Sequence, residues 1–192
     1  MNERPIAAGK SSFDLIDPNR LFSELQLRSD TVLLDLACGS GSYSLFASKF
    51  IGTDGAIYAF DLWKEGIDHL SRGLAVRQLR QIHAGVADVS RKIPLGDHSV
   101  DVCLMATVLH DLIQDKTEEG TLREVKRVLR PDGILAVVEF KKVEGPPGPP
   151  LEIRVSPEEL EDLLFPYGFG IAKKVEVGPY NYLSVFQKRH GT

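Results

Sequence analysis

The chain has 192 residues, 43% of them hydrophobic and 26% charged, with a net charge of −4. That length suits one domain with a single core across 1–192, and the acidic balance argues against a large nucleic-acid footprint, which needs a basic face. No apolar run approaches the roughly eighteen residues of a membrane span, so no membrane span is expected. Residues 1–12 read as a polar tail, without the apolar stretch of a secretory signal. Asp17-Pro18 is a helix-start signal, and Leu21, Phe22, Leu25 and Leu27 give a leading helix from about Pro18 to Leu27. The β-branched and leucine-rich run Val32–Leu36 predicts a buried strand, followed by a tight turn and a helix over about Ser42–Phe50.

Gly52-Thr-Asp-Gly55 is a turn, Ala56–Phe60 a second strand, and Lys64–Leu79 an amphipathic helix with Ile67, Leu70 and Leu74 on one side. Gln81–Gly85 is a weaker third strand, and Ala87–Ser99 a loop. Val100–Ala106 is a clear buried strand. After a short connection come a helix over about Glu118–Leu129, a turn at Pro131-Asp132-Gly133 and a strand over Gly133–Phe140. Alternating strands and helices imply a doubly wound, mostly parallel α/β sheet. The tail breaks the pattern. Residues 143–155 are a Pro/Gly-rich loop, either a stiff lid or an inert spacer. Ser156-Pro157 caps the last helix. Residues 171–177 and 181–188 alternate around Gly178-Pro179 as an antiparallel hairpin.

The chemistry concentrates in Asp35-Leu-Ala-Cys-Gly-Ser-Gly41. Glycines in a strand-to-helix turn let backbone approach a ligand, and an acid about twenty residues on, here Asp61, is the usual grip on ribose hydroxyls. The ligand is therefore a nucleoside. Asp35 would repel a pyrophosphate but attract an ammonium and a sulfonium. Ser44 stands where the dinucleotide fingerprint wants Gly or Ala. Both favour S-adenosylmethionine over NAD(P), which leaves an NAD(P)-dependent oxidoreductase and a non-catalytic S-adenosylmethionine-binding protein as rival readings. Cys38 and Cys103 end apolar runs and read as reduced thiols of a cytoplasmic protein; neither has the spacing of a metal ligand.

Three segments carry a resemblance to a known family. Asp35–Gly41 is similar to the first motif of class I S-adenosylmethionine-dependent methyltransferases, with Ala37 in place of the first Gly. Asp97-His-Ser-Val-Asp101 resembles the turn before that family's fourth strand, and Leu122-Arg-Glu-Val-Lys-Arg-Val-Leu-Arg-Pro-Asp-Gly133 its "E-hhRVLKPGG" segment. The likeness is strongest to the ubiquinone/menaquinone C-methyltransferase-like (methyltransferase type 11) group. It implies a Rossmann-like seven-stranded sheet with an antiparallel C-terminal hairpin strand, and methyl transfer to a small-molecule acceptor.

By that resemblance Asp35 and the Ala37, Cys38, Gly39 and Gly41 turn hold the methionine end. Asp61 takes the ribose, Leu62 lies beside the adenine, Asp88 and Val89 sit at the adenine edge, and Ala106 and Thr107 face the sulfonium. His110, just past the fourth strand, is the candidate general base or acceptor ligand. Methyl transfer from a sulfonium does not require a base, because positioning alone can supply roughly 7–11 kcal/mol of the barrier. Glu139 and Lys141 read as a structural ion pair. The chain lacks the Asn/Asp-Pro-Pro-Tyr/Phe signature of N6-adenine and glutamine methyltransferases.

Overall fold

A computed structural model describes Gly9 and residues 11–189; most of the expected N-terminal tail lies outside the described residues. One seven-stranded sheet organises the chain: β1 (Val32–Leu36), β2 (Ala56–Asp61), β3 (Ile82–Val86), β4 (Val100–Ala106), β5 (Leu129–Phe140), β6 (Phe169–Glu176) and β7 (Asn181–Lys188). The spatial order is β3-β2-β1-β4-β5-β7-β6. β1 to β5 pair in parallel; β7 pairs antiparallel with both β5 and β6. The expected doubly wound sheet with a C-terminal antiparallel hairpin is the observed one.

Its central strands are apolar on both faces because helices cover both. Alternation assigns each residue to a side. Leu33, Val102, Leu104, Ala136 and Val138 pack beneath α1 (Pro18–Glu24), α2 (Ser42–Ala47) and α3 (Lys64–Arg77) through Leu21, Phe22, Ala47, Ile67 and Leu70. Leu34, Leu36, Cys103, Met105, Leu135 and Val137 pack against α4 (Leu109–Gln114), α5 (Glu118–Val128) and α6 (Pro157–Leu164) through Leu109, Leu122, Val125, Leu160 and Leu164. Asp17 caps α1 by accepting the Arg20 N–H at 3.1 Å, and Ser156 with Glu159 forms a capping box at the start of α6. No helix among the described residues is long and apolar enough to cross a membrane.

Three details differ from the sequence reading. α1 stops at Glu24. The "short connection" after β4 is helix α4. β5 begins at Leu129, so Pro131-Asp132-Gly133 lies inside a strand whose pairing with β4 shifts between Val100 and Val102; the turn signal marks an irregularity in the ladder and not its end.

The Pro/Gly-rich loop is built around one side chain. Arg154, 3% exposed, donates from Nε to the Pro149 carbonyl, from one terminal nitrogen to Lys141 and Val143, and from the other to Gly145 and Pro147. All five guanidinium N–H groups are thus spent on carbonyls of alternate residues. Prolines leave such a segment short of donors, and the guanidinium makes up the deficit. Neither Glu139 nor Lys141 follows the expected pairing. Lys141 meets Glu176 at 3.1 Å; Glu139 lies within β5, fully buried, with His110. The expected pair is not formed, because Glu139 is taken by His110 of α4 and Lys141, just past the end of β5, by Glu176 of β6.

Candidate active site

A cleft opens at the C-terminal ends of β1, β2 and β4, where the strand order reverses between β1 and β4; open α/β sheets bind ligands at this switch point. Asp35, Ala37, Cys38 and Gly39 line it from β1 and its turn, Asp61 and Leu62 from β2, Val89 from the loop after β3, and Ala106 and Thr107 from the end of β4. The structure therefore brings together nine of the residues singled out in the sequence.

Asp35 is 1% exposed. Its Oδ2 accepts from the Ser44 N–H at 3.0 Å and the Ser44 hydroxyl at 2.6 Å. Burial raises its carboxyl pKa to about 6, against the lowering effect of both Ser44 bonds. Ser44 is thus the partner of Asp35 at the α2 N-terminus. Asp61 spans the turn: Oδ2 accepts the Gly39 N–H at 2.7 Å and Oδ1 the Trp63 N–H at 2.7 Å. Each oxygen keeps a lone pair for a ligand donor. Ala37 (φ +57) and Thr107 (φ +53) both hold left-handed backbone on the cleft wall. For a β-branched residue such as Thr107 that is a genuine outlier, and such strain concentrates at functional sites.

The two turn glycines play different parts. A Cβ on Gly39 (φ +57) would meet nothing within 4 Å, so its backbone borders open space in the cleft. A Cβ on Gly41 (φ +80) would come within 2.5 Å of Leu70, a buried residue of α3. Gly41 is not on the cleft wall; it is a glycine because α3 packs against the turn. Asp88 is also displaced from its expected place. Its Oδ1 accepts from the Ser90 N–H and hydroxyl, at 3.1 and 2.6 Å, and Arg91 lies 3.4 Å from Oδ2. It borders a separate shallow hollow with Arg91 and Lys92, because closing the loop that follows β3 uses its carboxylate.

His110 does not line the cleft either. It is 5% exposed; Nδ1 lies 2.8 Å from Glu139 Oε2, and its backbone N–H donates to Oε1 at 3.2 Å. Burial pulls the imidazole pKa down, but the hydrogen bond and charge of Glu139, with Asp111, outweigh it and raise the value above 6.5. The next residue, Asp111, reaches the wall in its place.

The rest of the wall was not legible in sequence. Trp63 follows Asp61-Leu62 directly. Asp111, Leu112 and Gln114 come from α4, and Asp115 from its C-cap. Ser12 joins from the N-terminal side, where its hydroxyl lies 2.8 Å from the Tyr43 hydroxyl and accepts from Thr107 Oγ1 at 2.9 Å. This hydroxyl chain ties three distant segments together across the cleft; burial holds the Tyr43 phenol well above its usual range, so it stays protonated.

A methyltransferase domain family matches residues 34–137, more than half of the chain, from within β1 through most of β5. The chain belongs to this family. It is 25% identical over 128 residues to the demethylmenaquinone methyltransferase of Lactobacillus johnsonii, covering 66% of this chain and 51% of that one. It is 33% identical over 121 residues to the ubiquinone/menaquinone biosynthesis C-methyltransferase UbiE of Azotobacter vinelandii, covering 60% and 45%. The chain thus spans about half the length of the curated relatives it matches. The crystal structure of a SAM-dependent methyltransferase from Aquifex aeolicus superposes with a TM-score of 0.83 at 31% identity, covering 92% of both chains. Within this family fold the N-terminal segment, α1 and the closing hairpin lie outside the matched region, yet Ser12 reaches the cleft from there.

Proposed function

We propose that this chain binds S-adenosylmethionine in the cleft at the ends of β1, β2 and β4 and transfers its methyl group to a small-molecule acceptor. The carrying observation is that two carboxylates, Asp35 and Asp61, meet the open backbone of Gly39 in one cleft. The residues fit the ligand. Asp35 lies in a low-dielectric site where a cationic ammonium is worth most. Asp61 has lone pairs for vicinal hydroxyls, and Leu62 and Val89 offer apolar surface for a base. Next to a pyrophosphate Asp35 would repel, which disfavours the oxidoreductase reading.

When bound, S-adenosylmethionine supplies a methyl group on a good leaving group, displaced in line. The chain's own part is to hold, orient and exclude water, which suits a wall whose bases, among the described residues, are carboxylates. The relatives named above are methyltransferases of demethylmenaquinone and of ubiquinone and menaquinone biosynthesis, which favours a small acceptor of quinone-like type.

Trp63 is the chain's single tryptophan and lines the cleft, so its fluorescence reports binding of S-adenosylhomocysteine directly. Asp61→Ala should weaken that binding by about 1.5–3 kcal/mol, the scale of a hydrogen bond to a charged group; unchanged affinity would remove Asp61 from the ligand grip. The glycines give a second contrast. Gly39→Ala and Gly41→Ala share a left-handed backbone penalty of about 1–2 kcal/mol, but only Gly41→Ala adds an overpacking cost of about 1–3 kcal/mol against Leu70. Thermal melts should rank Gly41→Ala as the less stable variant, and titrations should rank Gly39→Ala as the weaker binder. The reverse ranking on both counts would contradict the division of labour in the turn.

A further inference from the structure

Three hydroxyl groups meet on the wall of the cleft. Thr107, just past the end of β4, donates from Oγ1 to Ser12 Oγ at 2.9 Å, and Ser12 Oγ lies 2.8 Å from the Tyr43 hydroxyl. Tyr43 stands in the first turn of α2, and all three residues line the cleft. Ser12 and Tyr43 are buried. The Phe13 ring meets the Tyr43 ring edge-on, with centroids 5.1 Å apart, so the phenol is held in orientation as well as buried. Ser12 lies outside the region that matches the methyltransferase family. The N-terminal segment of this chain therefore completes the set.

The protons do not balance within the set. Among the described residues, these two contacts are the hydrogen bonds that the three hydroxyls make. Each hydroxyl carries one proton, so one proton is left over. Thr107 gives its own to Ser12. Ser12 then either passes its proton to Tyr43 or accepts from it. The first arrangement runs head to tail, and hydrogen bonds in such a chain strengthen one another. It leaves the phenol as the free donor. In water that proton finds solvent. Under a ligand that excludes water it must find an acceptor on the ligand, or a buried hydroxyl goes unpaired.

We infer that the Tyr43 hydroxyl, backed by Ser12 and Thr107, holds the carboxylate of the nucleoside's amino-acid tail and makes the cleft select a donor that carries it. This rests on the methyl-transfer reading of the cleft. The placement follows from covalent geometry, because the ammonium and the carboxylate of an amino acid hang from one carbon. With the ammonium at Asp35, the carboxylate falls beside it, and Asp35 is close enough for its charge to act on the Tyr43 phenol. The neighbouring Ser44 hydroxyl is spent on Asp35 itself. A neutral donor suits this position. Asp35, Asp14 and Glu139 place negative potential on Tyr43, which a lone anion would resist. The ammonium on the same carbon offsets that potential, so a zwitterion fits where an isolated carboxylate would not.

The test compares S-adenosylhomocysteine with its decarboxylated analogue, in which an aminopropyl group replaces the amino-acid tail. The analogue keeps the nucleoside, the sulfur and the ammonium and lacks the carboxylate. Titrations at pH 7.5 give both affinities for the wild type and for Tyr43→Phe. The wild type should prefer S-adenosylhomocysteine by at least tenfold. Tyr43→Phe should weaken S-adenosylhomocysteine by about tenfold, the scale of one hydrogen bond to a charged group, and leave the analogue within about twofold. The ligand's carboxylate and the protein's hydroxyl then couple in a double cycle, and retained binding of the analogue shows that the variant's cleft is intact. No preference in the wild type, or unchanged S-adenosylhomocysteine affinity in Tyr43→Phe, overturns the inference. So does equal weakening of both ligands, which would make the hydroxyl a packing element. A loss that appears only when Ser12→Ala is added assigns the free proton to Ser12 and contradicts the role of Tyr43. A wild type that binds neither ligand defeats the methyl-transfer reading itself, whereas binding without coupling defeats this inference alone.

Discussion

His110→Ala is expected to cost about 3–5 kcal/mol of folding stability, the range for removing one partner of a buried ion pair. Glu139 is fully buried, and His110 is 5% exposed. With the imidazole gone, the Glu139 carboxylate keeps only the backbone N–H groups of residues 110 and 140 and must stay ionised without a counter-charge or take up a proton. The pH dependence has a definite sign. The folded-state pKa of His110 is raised above 6.5 despite the opposing pull of burial. A folded value above the unfolded one means that the charged pair stabilises fully below about pH 6.5 and fades as pH rises through the folded value. Denaturant titrations should therefore show the gap between wild type and His110→Ala widest near pH 6 and narrower in alkali. Adding Glu139→Gln to His110→Ala should recover part of the loss, because the stranded charge is removed. A loss below about 1 kcal/mol, or no recovery in the double variant, would contradict the buried pair.

The second large effect runs in opposite directions for stability and binding. Asp35 has a folded-state pKa of about 6 against 3.8 for the free side chain. The folded protein holds the proton more tightly than the unfolded chain does, so stability falls as pH rises from about 4 to about 6, by about 3 kcal/mol in all. Above pH 6 the free protein carries that penalty, and a bound ammonium offsets it. Asp35→Asn keeps an oxygen for Ser44 and removes the charge. The free variant should melt several degrees higher than the wild type near pH 7.5, yet bind S-adenosylhomocysteine at least tenfold more weakly. Wild-type affinity should fall as pH drops below about 6, and the variant's should not. Stability bought at the expense of a strained, charged site is a common trade-off. A variant both less stable and unaltered in affinity would show Asp35 to be an ordinary buried acid.

Much of this architecture was readable from short-range pattern. β1, β4 and the hairpin are continuous or alternating apolar runs, and period alone places them. The Asp35 turn and Asp61 were readable because strand end, glycine and acid fall at fixed spacings set by one βαβ unit. What was missed depended on distance. α4 spans only six residues, too short for a helical period to show, and with it Asp111, Leu112 and Asp115 stayed hidden. Gly41 looks like a ligand glycine until Leu70 is brought against it. His110 looked catalytic because position after β4 says nothing about which neighbouring side chain turns inward; Glu139, 29 residues on, draws it off the wall. Arg154 organises a stretch with no regular structure, and nothing local announces a guanidinium bonded to five carbonyls.

Calorimetric titration of the purified chain with S-adenosylmethionine, S-adenosylhomocysteine and NAD at pH 7.5 tests the central claim most directly. The two sulfur nucleosides should each bind at one site with micromolar affinity, and NAD should give no heat of binding. Saturable NAD binding without either sulfur nucleoside would contradict the assignment of the cleft.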